Sequence, residues 1–108
     1  MKIFGVGEVL YDVSFVKGSA VGGHVGGSVL NALSTLASMG HNVHLVSEVG
    51  EDLLGQLIEK EILEKKIDCY LFKDLDKKTS LALAFLDERG DADYSFYKSH
   101  WAPSLKQT

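Results

Sequence analysis

The sequence predicts an α/β fold built from parallel βαβ units, and three stretches carry that expectation. The first is residues 22–31, Gly-Gly-His-Val-Gly-Gly-Ser-Val-Leu-Asn, where four glycines lead into a helical pattern. In that pattern Val29, Leu30, Leu33, Leu36 and Ala37 recur at helical spacing until Gly40, a natural stop. The second is the succession of a strand-like run at 43–49, a helix-like run at 53–66 and a strand-like run at 68–72. That order calls for right-handed crossovers between parallel strands. The third is a pair of strands, 79–86 and 92–97, joined by Asp87-Glu88-Arg89-Gly90-Asp91 as a hairpin with Gly90 in a left-handed bulge position.

Bulk properties fit one globular domain. Of 108 residues 45% are hydrophobic and 24% charged, which argues against disorder. The net charge of −4, with both signs interspersed, argues against nucleic acid or a membrane surface as partner. No apolar run approaches membrane-spanning length, and Met1-Lys2-Ile3-Phe4 enters a strand pattern instead of a signal peptide, so the expected location is cytoplasmic. The single cysteine, Cys69, excludes an internal disulfide; its strand-like surroundings suit a buried structural thiol better than a nucleophile.

Along the chain, residues 2–9 read as a buried strand thinned by Gly5 and Gly7. A dinucleotide fingerprint would need a third glycine where Leu10 stands and a helix directly after it. The β-rich Tyr11-Asp12-Val13-Ser14-Phe15-Val16 follows instead, which disfavours half of an NAD-dependent enzyme. Asp12 stands where a carboxylate at a strand end faces a ligand crevice, or else is a solvated turn aspartate. Short β pieces at 13–16 and 19–25 flank a hairpin turn at Lys17-Gly18, and no Gly-Lys-Ser/Thr order supports a Walker A loop.

Residues 22–27 read as a glycine loop feeding a helix N-terminus, where unpaired N–H groups and the positive end of the dipole favour electron-rich ligand atoms. Asn31, four residues after Gly27, lies on the same helical face, and its amide both donates and accepts. With no Lys or Arg between 22 and 31, a neutral polyol suits this loop better than a phosphate. His41 and His44 have no third ligand nearby and read as turn and strand residues.

In the second helix, acids at Glu51 and Asp52 occupy the first turn and Lys60, Lys65 and Lys66 the end, as the dipole prefers. Leu54, Leu57, Ile58, Glu61 and Ile62 mark one side, mostly apolar, and Gly55 implies a close backbone contact. A charged connector at 73–78 precedes the hairpin. Its first strand, apolar on both faces, expects cover on both, and the tail His100-Trp101-Ala102-Pro103-Ser104-Leu105 has no companion element.

Gly26-Gly27-Ser28-Val29-Leu30-Asn31, with Gly40 and Gly50 at their distances, resembles the N-terminal signature of ribokinase-like (PfkB-type) carbohydrate kinases. Gly7-Glu8-Val9-Leu10-Tyr11-Asp12 looks like that family's first strand and sugar-contacting aspartate, and Val49-Gly50-Glu51-Asp52-Leu53-Leu54-Gly55 like its second βα junction. Residues 79–97 resemble the lid strands of fructokinase and 2-keto-3-deoxygluconate kinase members. Val29 and Leu33 stand where the family usually has smaller residues, which predicts a narrower pocket or a tilted helix.

The resemblance implies that residues 1–108 are the incomplete N-terminal portion of a ribokinase-like α/β/α sandwich, with lid strands at about 13–25 and 79–97. It implies a sugar held by Asp12, the Gly27 N–H and Asn31, with Ser28 as a weaker contact, and a homodimer formed through the lid. ATP and Mg²⁺ are expected for the full-length enzyme and not for this chain alone. The family's later Gly-Ala-Gly-Asp-type motif, with its catalytic base, does not occur here, so no catalytic residue is expected and the chain alone should be inactive. The alternative is a non-catalytic sugar-binding or dimerisation module. Open strand edges in such a half sheet predict aggregation unless a partner covers them.

Overall fold

The computed structural model describes residues 2–98, so the reading of the tail lies outside the described residues. The elements are β1 (Lys2–Val6), β2 (Leu10–Val16), β3 (Ser19–Gly26), α1 (Ser28–Ser38), β4 (Asn42–Gly50), α2 (Leu53–Glu64), β5 (Asp68–Asp74), β6 (Leu81–Leu86) and β7 (Ala92–Tyr97). They form two sheets, a three-stranded one in the order β1-β4-β5 and a four-stranded one in the order β3-β2-β6-β7.

In the first sheet both pairings are parallel, as the strand–helix–strand order demands. One face carries Ile3, Gly5, Val43, Leu45, Val49, Cys69 and Leu71; with Leu30 and Leu33 of α1 and Ile58 and Ile62 of α2, its apolar side chains make the core. Both helices therefore lie on that face. The opposite face holds exposed Phe4, Val6, Tyr70 and Phe72.

Several expected boundaries move, each for a physical reason. The first strand was read through Val9 but ends at Val6. The chain leaves the ladder there, Ser47 Oγ donates to the Gly7 carbonyl at 2.5 Å, and buried Val9 plugs the core between the sheets. Residues 22–26, read as a glycine loop although 19–25 also read as a β piece, belong to β3: Gly23 admits the Tyr11 ring, which a Cβ would meet at 2.6 Å, and Gly26 admits the Asp12 side chain. The paired strands expected at 13–25 and 79–97 run from Leu10 to Gly26 and from Leu81 to Tyr97. Val29 and Leu33 turn toward the two glycines of the first strand segment. They seat on β1, where a Cβ on Gly5 would lie 2.7 Å from Val29 Cγ1 and one on Gly7 2.6 Å from Val29 Cγ2. The Gly5-x-Gly7 pair thus makes room for two bulky helix residues, and β2 follows it instead of a helix.

Asp52 is the N-cap of α2 and not a first-turn residue, while Lys65 caps the far end and Lys66 has left the helix with φ 62°. The expected close approach at Gly55 is present, because a Cβ there would overlap the Gly50 carbonyl oxygen. Lys17 (φ 51°) and Gly18 (φ 79°) make the β2–β3 turn, both positive as a type I′ turn requires. Gly90 (φ 82°) takes its left-handed place in the β6–β7 hairpin, where the Asp87 carboxylate accepts from the Arg89 and Asp91 N–H groups.

Candidate functional site

Asp12 lies in the four-stranded sheet with His24 of β3 directly beside it on one side and Ala82 of β6 on the other. Paired residues share a sheet face, so the same register adds Ser14, Ala84, Tyr94 and Phe96 to the Asp12 face. Buried Ala82 and Ala84 form a low floor along β6. Asp12 and Ser14 rise on one side of it and the exposed rings of Phe96 and Tyr94, stacked 5.8 Å apart, on the other. Lys98 closes one end, its Nζ 5.1 Å above the Phe96 ring and 3.6 Å from Glu8 Oε1. This face thus sets Asp12 and Ser14 and the aromatic wall of Tyr94 and Phe96 on opposite sides of the buried alanines.

The Asp12 carboxylate stands 3.7 Å from His24 Nε2 and packs against Gly26, where a Cβ would overlap it. Gly27 follows at φ 141°, a conformation that side chains rarely adopt, and its Cα is drawn so close to the Glu8 carbonyl oxygen that a Cβ would approach it to 2.6 Å. Gly27 is also the N-cap of α1, which has no side-chain cap, so the first-turn N–H groups are left for solvent or a ligand. Ser28, exposed, opens the helix. Asn31, also exposed, sits one turn in, its N–H donating to the Gly27 carbonyl at 2.9 Å. Leu30 and Leu33 take the buried side of α1, which leaves Asn31 off the core stripe.

The structure therefore brings Asp12 and the Gly26–Gly27 turn together, with Ser28 and Asn31 following on α1. Sequence reading missed Ala82, Ala84, Tyr94 and Phe96. Alternation could have grouped each pair on one strand face, but only the β2–β6–β7 register ties them to Asp12. Cys69 is half-buried against the core; burial pushes its thiol up, helped by Glu59 and Asp68, which suits an inert residue.

A family model described as pfkB family carbohydrate kinase matches residues 2–108. The chain belongs to the pfkB family of carbohydrate kinases. Fructokinase from Xylella fastidiosa is similar in structure, with 28% identity and a TM-score of 0.77, over 90% of this chain and 33% of that one. A second structure of that fructokinase, with bound ATP, matches at 24% identity and a TM-score of 0.76, over 90% and 33%. Fructokinase from Vibrio cholerae O395 in apo form matches at 20% identity and a TM-score of 0.81, over 93% and 35%. This pfkB-family chain thus shares their ribokinase-like fold and spans about a third of their length.

Nucleotide and Mg²⁺ are a separate matter. Among the described residues no group of three or more His, Cys, Asp or Glu side chains could hold a metal ion, and residues 22–31 carry no Lys or Arg. Among the described residues, too, no helix is long and apolar enough to cross a membrane.

Proposed function

We propose that this chain is the sugar-binding portion of an ATP-dependent carbohydrate kinase, which transfers a phosphoryl group to a sugar hydroxyl. The observation that carries the reading is the Asp12 carboxylate set against Gly26, beside an uncapped helix start. Asp12 accepts from two sugar hydroxyls, the Gly27 N–H donates to an oxygen, and Asn31 does both, with Ser28 as a weaker contact. The four-stranded sheet is the lid. Its alanine floor admits a flat polyol and its aromatic wall covers the apolar C–H face, in the usual way of sites with a few polar groups among apolar ones. Phosphoryl transfer needs positioned charge around the γ-phosphate, and the rest of a family-length protein supplies it.

The test is calorimetric titration of the chain with fructose, ribose and 2-keto-3-deoxygluconate, beside an assay for ATP-dependent phosphorylation. Saturable binding of one sugar without turnover is expected. Robust turnover by these residues alone, or no binding of any sugar, contradicts the proposal.

A second reading, dimerisation through the lid, draws on the other sheet face. There Phe15 and Phe85 stack 4.9 Å apart, and Phe85 is 43% exposed. Light scattering tests it, a monodisperse dimer being the expected result and a monomer at all concentrations the contrary one.

A further inference from the structure

Glu61 is the one acid on the mostly apolar side of α2, and sugar contacts do not account for it. Its Oε2 accepts the backbone N–H of Val25 at 3.0 Å, from the edge strand β3, two residues before Gly27. At the other end of the same helix, Asp52 Oδ1 accepts from the Gly55 N–H at 2.8 Å and the Thr79 hydroxyl at 2.6 Å, and Oδ2 from the Thr79 N–H at 3.0 Å. Thr79 Oγ1 accepts in turn from the Gly50 N–H at 2.9 Å. One residue further, the Ser80 carbonyl accepts from the Tyr11 N–H at 3.0 Å, where β2 and β6 begin their pairing. Gly50 keeps this junction tight, since a Cβ on it would come within 2.5 Å of the Lys77 carbonyl oxygen.

Among the described residues the two sheets share no hydrogen-bonded ladder. Their relative setting depends on the linking segments and on whatever side chains reach across. α2 packs its apolar residues on the first sheet, sends Glu61 to the edge strand β3 of the second and, from its N-cap, Asp52 to the segment that enters the inner strand β6.

We propose that α2 is a two-point bracket that fixes the four-stranded sheet on the core, Glu61 positioning the Gly26–Gly27 turn and the Asp52–Thr79 pair positioning β6. Its consequence for sugar affinity rests on the reading above; the bracket itself does not.

Amide hydrogen exchange of the 108-residue chain tests it with Glu61→Leu, Glu61→Gln, Thr79→Val and Thr79→Ser. Glu61→Leu is expected to speed exchange at Val25, Gly26 and Gly27 about tenfold or more while β4 stays within about twofold, and Glu61→Gln, which keeps an acceptor oxygen, to restore most of the protection. Thr79→Val should do the same to β6, leave the first turn of α2 protected because Gly55 still caps on Asp52, and be rescued by Thr79→Ser. Unchanged exchange at these sites, or acceleration that runs equally through β4, overturns the bracket. Should Glu61→Leu not fold, Thr79→Val against Thr79→Ser decides by the same criterion. Local loosening in a chain that binds no sugar would refute the sugar reading and leave the bracket standing.

Discussion

Two aspartates show how position decides what the same side chain does. Among the described residues the Asp12 carboxylate has a histidine 3.7 Å away and Gly26 packed against it, and its side chain is 26% exposed. Replacing it with Asn keeps the shape and removes the charge, so sugar affinity should fall by about 1.5–3 kcal/mol, the range for hydrogen bonds to charged groups, with little change in melting temperature. Titration calorimetry and a thermal melt check both halves. Asp52 is internally committed. Burial pushes its carboxyl up, but the Thr79 hydroxyl and the N–H groups of Thr79 and Gly55, with Lys78 nearby, outweigh this and hold it below the usual carboxylate range. A lowered folded-state value means that the stability Asp52 contributes is present above its ordinary unfolded value and lost as pH falls through the lowered one. Urea unfolding across the acid range should show that loss in the native chain and a flatter profile in Asp52→Asn. Asp12 was legible as a carboxylate near the first break, but it stands neither at the end of the first strand nor in a turn: it lies within β2, paired with His24 and Ala82, and only the ladder shows that. The Asp52–Thr79 bond was not legible, because it joins residues 27 apart.

At the scale of elements, helix–strand fit explains two glycines that look like a nucleotide fingerprint. Gly5 and Gly7 receive Val29 and Leu33, so a methyl added at Gly7 collides with Val29 and should destabilise the fold by about 1–3 kcal/mol, the cost of overpacking. Val29→Ala alone leaves a gap, but combined with Gly7→Ala it refills the space. The double mutant should be more stable than the sum of the single changes predicts, a coupling that denaturant melts measure. The regular elements were legible because apolar spacing sets them: both helices and all the strands of the core sheet stand where the pattern put them, shifted at their ends. β3 was only half legible. Its glycines look like loop in isolation, and only the Tyr11 ring and the Asp12 carboxylate across the ladder explain why strand needs them.

The whole molecule has one finished side. Parallel sheets are ordinarily covered on both faces, and here both helices take the same one. On the other, His44 is buried between Phe4, 4.8 Å away, and Tyr70, 6.0 Å away, and among the described residues neither of its ring nitrogens has a hydrogen-bond partner; Asp68 Oδ2 stands 3.6 Å from Nδ1. Phe4, Val6, Tyr70 and Phe72 extend this surface. Such a face with open strand edges should drive concentration-dependent association, and charged substitutions at Phe4 and Phe72 should reduce it in sedimentation experiments. Strand edges were legible from the sequence; the one-sidedness of the helices follows from strand order β1-β4-β5, which periodicity does not encode.

The claim on which the account turns is that a polyol sits between Asp12, the Gly26–Gly27 turn and Asn31. Backbone amide shifts recorded during titration with the sugar that binds test it most directly. The account predicts saturable changes clustered at residues 10–14, 24–31 and 82–84, abolished by Asp12→Asn. Changes centred elsewhere on the chain, or a full response that survives Asp12→Asn, would contradict it.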